Sequence, residues 1–97
     1  MTKELENSFG EVLWYARTKL GMTQDDFLPQ WSEGYVSKIE RGLKNPTLTT
    51  VHKLAETLGI HTTTLVALCF MYHEDMTADE VVQKIKEDLK KFEDPKK

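Results

Sequence analysis

The chain has one cysteine, three prolines and no apolar run longer than eight residues, and each shortage removes a class of protein. The single cysteine, Cys69, rules out an intrachain disulfide and a cysteine-based zinc framework. With His73 four residues on, it could supply at most half a metal site. Lying inside Leu65-Val66-Ala67-Leu68-Cys69-Phe70-Met71, it reads instead as a small core hydrophobe, and no metal is expected. His52 and His61 have no metal spacing and read as solvated or capping residues. The longest apolar stretch, Leu65 to Tyr72, falls far short of the ~18 residues a membrane span needs. The N-terminus lacks the apolar centre of a signal peptide, so a cytoplasmic location and no membrane partner are expected. There is no glycine-rich phosphate loop, no paired carboxylates with a cleft to sit in and no nucleophile–base pair, which argues against an enzyme and against any cofactor. Strand alternation and internal repeats are also missing.

Positive charge is scarce too. The net charge is −3, but it is spread unevenly. Residues 9–60 hold six basic residues (Arg17, Lys19, Lys38, Arg41, Lys44, Lys53) and six acidic ones (Glu11, Asp25, Asp26, Glu33, Glu40, Glu56). The acidity comes from the two ends, where the tail from residue 74 onward has six lysines against eight acidic residues. The central segment is therefore neutral.

What the chain does have is helical periodicity. Its 97 residues, 39% hydrophobic and 30% charged, suit one domain plus a terminal element. Ser8 and Glu11 form a capping-box pattern before the stripe Phe9, Val12, Leu13, Ala16 and Leu20, and Gly21 ends that helix. Thr23 caps a short second helix with Asp25 and Asp26 in its first turn, cut off by Pro29. Ser32 is the expected cap of a third helix, about 33–41, with Val36 and Ile39 inward and Gly42 as its stop. Thr47 opens a fourth, carrying Leu48, Val51, Leu54, Ala55 and Leu58, and Gly59 closes it. Thr62 or Thr63 opens a fifth, apolar around most of its circumference. Thr77 and Glu80 form a second capping box before the stripe Val81, Val82, Ile85, Leu89 and Phe92.

The ordered set Arg17, Gly21-Met22-Thr23-Gln24, Tyr35-Val36-Ser37-Lys38-Ile39-Glu40-Arg41-Gly42, Asn45-Pro46-Thr47-Leu48, Leu54-Ala55 and Leu58-Gly59-Ile60 resembles the Xre-like helix-turn-helix family. That family includes the lambdoid phage repressors and Cro proteins, and the likeness covers roughly residues 9–68. It implies an all-α fold: a compact five-helix lambda-repressor-like DNA-binding domain (1–74) with an additional C-terminal helix (75–97) for dimerisation or packing. It also implies sequence-specific binding of double-stranded DNA by a small transcriptional regulator, with the third helix in the major groove.

On that resemblance, Thr23 and Gln24 meet a phosphate at the start of the second helix. Glu33, Gly34, Ser37 and Lys38 lie nearest the base edges. Arg41, Lys44 and Asn45 touch the backbone. Arg17 is assigned to brace the third helix through Glu40, with direct phosphate contact as its alternative. Tyr35 is open between stacking on the DNA backbone and covering the core edge. One departure stands out: from Gln24 to Tyr35 the chain is about two residues shorter than the family pattern. The family usually has a small residue in the second helix and a glycine in the turn; here Leu28 is bulky where the helices approach, Pro29 shortens the second helix, and Trp31 takes the place of the usual apolar plug.

A single unit contacts few bases, so a homodimer on an operator of palindromic symmetry is expected. The candidate interface residues are Leu65, Leu68, Cys69 and Tyr72 of the fifth helix and Val81, Ile85, Leu89 and Phe92 of the sixth. The alternative function is a protein-binding module, such as an antitoxin or adaptor, with secondary or lost DNA binding.

Overall fold

A computed structural model describes residues 4–32 and 34–93. Helix α1 spans Leu5–Lys19, α2 Tyr35–Glu40, α3 Leu48–Leu58, α4 Thr62–His73 and α5 Ala78–Leu89. Single 3-10 turns occupy Gln24–Phe27 and Lys90–Phe92. No strand occurs among the described residues, so the all-α reading holds.

The core is one cluster. Phe9, Val12, Leu13 and Ala16 of α1 meet Phe27, then Val36 and Ile39 of α2, Val51, Leu54, Ala55 and Leu58 of α3, and Leu65 and Cys69 of α4. Helices α1 to α4 each contribute residues at i, i+3 or i+4, as an amphipathic face must, whereas α5 contributes none. Leu20 and Leu48, expected on these faces, are instead 52% and 76% exposed. Both sit at helix ends, where the stripe has already turned away from the core.

The helix stops follow expectation. Gly21, Gly42 and Gly59 all have positive φ, the left-handed conformation that follows a helix. Thr47 Oγ1 accepts from the Thr50 N–H at 3.2 Å, and His61 Nδ1 from the Thr63 N–H at 3.0 Å, capping α3 and α4. The helix starts are less uniform. Ser8 is not a cap: α1 begins three residues earlier, and Ser8 is buried with its Oγ 2.8 Å from His73 Nδ1 of α4. That contact engages Nδ1 of His73. Ser32 does not cap the third helix either, because α2 starts at Tyr35 after Gly34 at φ 84°.

Gly10 decides how closely α1 and α2 approach. A Cβ there would lie 2.4 Å from the Ile39 carbonyl oxygen and 2.7 Å from that of Glu40. Only a residue without a side chain lets the two backbones meet. Leu28, bulky where close packing was expected, turns outward and is 42% exposed.

Candidate nucleic-acid interface

The surface formed by the 3-10 turn and α2 is anchored by a largely buried carboxylate. Arg17, only 8% exposed, donates from Nε to Glu40 Oε2 at 2.7 Å and from Nη2 to Oε1 at 3.0 Å. Its Nη1 donates to the Met22 carbonyl at 2.9 Å. Gln24 Nε2 donates to Glu40 Oε1 at 2.9 Å. One carboxylate thus gathers α1, the 3-10 turn and α2. The planar guanidinium fork fits it in two-pronged fashion, a geometry lysine could not reproduce. The hydrogen bond from Arg17 to Glu40 raises the already high pKa of the guanidinium, so Arg17 keeps its charge.

Around this anchor the sequence-derived residues separate into groups. Lys38, Arg41, Lys44 and Asn45 are exposed along α2 and the loop after it, and Ser37 is partly exposed between them. Among the described residues, Lys38, Arg41 and Lys44 form no ion pair. Thr23 is exposed, and its N–H donates to the Asp26 carboxylate at 2.7 Å, fixing the start of the 3-10 turn. Gln24, assigned to a phosphate, here spends its amide on Glu40. Gly34 stands before α2 rather than within it, with open space where a Cβ would be. Glu33 lies outside the described residues. Tyr35 stacks on Trp31, with ring centroids 5.3 Å apart and planes 11° apart, and both rings pack against the core. Trp31 therefore fills the turn as the sequence suggested, its Nε1 buried without a hydrogen-bond partner among the described residues.

The dimer candidates also divide. Leu65 and Cys69 are 0% and 4% exposed and belong to the chain's own core, so neither can meet a partner. Burial also pushes the Cys69 thiol pKa up, leaving it a poor nucleophile. Leu68 is half-buried and Tyr72 half-exposed, with the Tyr72 hydroxyl donating to the Glu11 carboxylate. Val81 is partly covered, whereas Ile85, Leu89 and Phe92 are exposed.

An open apolar groove of about 800 Å³ borders this face, a feature sequence reasoning missed. Trp14 and Tyr15 of α1 form one wall and Leu68, Met71 and Tyr72 of α4 the other, with Ser37 and Arg41 at the α2 end. The available signal was two adjacent aromatic residues on the side of α1 that the stripe leaves to solvent.

The helix-turn-helix family model matches residues 15–65, from within α1 to the start of α4. The chain belongs to the helix-turn-helix family. The family is the Xre and lambda repressor-like DNA-binding group that the sequence resembles, and the matched span includes the 3-10 turn and α2. A relative from Sinorhizobium fredii (strain NBRC 101917 / NGR234), "Uncharacterized HTH-type transcriptional regulator y4dJ", is 38% identical over 52 residues. The aligned segment covers 52% of this chain and 68% of that protein. No solved structure matches at comparable significance. Most of α4 and all of α5 lie beyond the span matched by the helix-turn-helix model. Among the described residues no single helix is long and apolar enough to cross a membrane.

Proposed function

We infer that this helix-turn-helix protein is a transcriptional regulator that binds a specific double-stranded DNA site as a homodimer, with α2 in the major groove. The observation that carries this reading is the row of Lys38, Arg41, Lys44 and Asn45 on the exposed side of α2 and its following loop. Lys38 reaches guanine O6 or N7, and Ser37 adds a hydroxyl that pairs with either donor or acceptor edges. Lys44 and Asn45 hold the backbone phosphates, with Thr23 and Gln24 opposite; Gln24 must release Glu40 to do so. Gly34 lets the chain pass close to the duplex ahead of α2. Residues 75–97 serve as the pairing element of two such units, set about one helical turn (~34–36 Å) apart on the DNA. Tyr35 belongs to the core edge in this reading, because its ring is already taken by Trp31.

The test is a gel shift of the folded protein on the DNA upstream of its own gene at low salt. A shift weakened by Lys38→Ala is expected, and a folded sample giving no shift sinks the reading. A second reading, a protein-binding module of the antitoxin or adaptor kind, draws on the equal numbers of acidic and basic residues in 9–60. It would be favoured by that same negative result.

A further inference from the structure

Among the described residues, two apolar surfaces stand open. One is the groove between α1 and α4, where Trp14, Tyr15 and Tyr72 are 53%, 51% and 50% exposed. The other is α5, which buries none of its residues and leaves Val82, Ile85 and Leu89 50%, 43% and 58% exposed, with Phe92 just beyond at 83%. We propose that α5 of one copy of this chain lies in the α1–α4 groove of a second copy, and that the second copy's α5 fills the groove of the first. This rests on the homodimer reading above and gives it a geometry.

The two surfaces suit each other in shape and chemistry. Val81, Ile85 and Leu89 recur every four residues with Val82 beside them, the anchor spacing of an amphipathic helix laid in a groove. The groove is open, aromatic-walled and lined by Met71 and Met76, whose unbranched side chains adjust to an incoming helix. The area is also sufficient. Aromatic side chains cover about 150–250 Å² each when buried. Four of them half or more exposed, together with Val82, Ile85 and Leu89, approach the roughly 800 Å² per partner of a stable interface. Reciprocal seating closes the pair on a two-fold axis and leaves no open end for a filament.

A second copy is favoured over the chain's own α5 by the turn between α4 and α5. The Glu74 N–H donates to the Phe70 carbonyl at 2.9 Å and the Met76 N–H to the Met71 carbonyl at 2.9 Å. Asp75 sits at φ 54° between them. Beyond this turn no residue of α5 lines its own chain's groove, and α5 buries none of its residues. The radius of gyration is accordingly 15.2 Å, against about 12.5 Å for a compact chain of this length.

The experiment uses full-length chains carrying Tyr15→Cys or Leu89→Cys, both at exposed positions, one of them isotopically heavy. The two are mixed, allowed to exchange partners and treated with a short bismaleimide. The expected product has twice the single-chain mass and contains one light and one heavy chain. The parent protein, with only buried Cys69, gives none. Leu89→Cys linking only to itself would overturn the groove seat while leaving the homodimer standing. So would a chain bearing both changes that links within itself at a light-scattering mass of two chains. A single-chain mass at micromolar concentration would remove both the seat and the homodimer, and a gel shift on the same sample tests DNA binding independently.

Discussion

At the scale of single residues, Glu40 holds more of the candidate interface than any side chain that faces solvent. It receives Arg17 twice and Gln24 once. Removing it leaves a guanidinium in a site that is 8% exposed, which costs about 3 kcal/mol or more. Urea unfolding of Glu40→Ala should show that loss, a large share of the ~5–15 kcal/mol typical of a domain. Arg17→Met combined with Glu40→Leu should lose far less, since no charge is stranded. A Glu40→Ala midpoint equal to the parent's would refute the anchor. The pairing could be anticipated from sequence only through the family resemblance, because nothing local links residues 17 and 40. Gln24 as a third member could not be anticipated at all, since an exposed glutamine suits a phosphate equally well.

At the scale of elements, two identical local patterns had different outcomes. Thr77 and Glu80 form a true capping box: the Thr77 N–H donates to Glu80 Oε1 at 2.9 Å, and the Glu80 N–H to Thr77 Oγ1 at 3.1 Å. Ser8 and Glu11 have the same spacing but lie inside α1, because His73 supplies Ser8 with a tertiary partner and Glu11 turns to Tyr72. Local spacing reports a cap only where no distant residue competes. Likewise α2 starts at Tyr35, later than periodicity suggests, because Gly34 takes a left-handed φ that its neighbours in sequence do not reveal. The Thr77 bonds hold the Glu80 carboxyl below its usual pKa. A depressed carboxylate stabilises the fold above its ordinary range and ceases to as pH falls through the folded-state value. Amide exchange at the start of α5, taken relative to its intrinsic rate at each pH, should therefore become less protected on acidification below that range. Thr77→Ala should speed it roughly five-fold at neutral pH, for about 1 kcal/mol. Exchange unaffected by either change would show that α5 does not depend on this cap.

At the scale of the whole molecule, an acidic protein is read as binding a polyanion, and the resolution lies in placement. The net charge of −3 comes from the chain ends, whereas Lys38, Arg41 and Lys44 are exposed along α2 and the loop after it. Binding to DNA should weaken steeply with salt, and Lys44→Ala should lower the slope of log affinity against log salt by about one. Lys38→Ala should instead blur discrimination between sites by about 1–3 kcal/mol at one base pair. If both variants lost affinity equally on every sequence, the division between base and backbone contacts would be wrong. The fold class and the motif were legible in the chain because glycine stops and apolar stripes are local signals. The groove was not, since it exists only where α1, α2 and α4 converge. Helix α2 has six residues, too few to be stable alone. Its backbone is seated on Gly10, its inner side chains are Val36 and Ile39, and its end is tied through Glu40. None of these holds involves Ser37, Lys38 or Arg41. The letters of the reading edge can thus be rewritten while the type that prints them stays locked in α1.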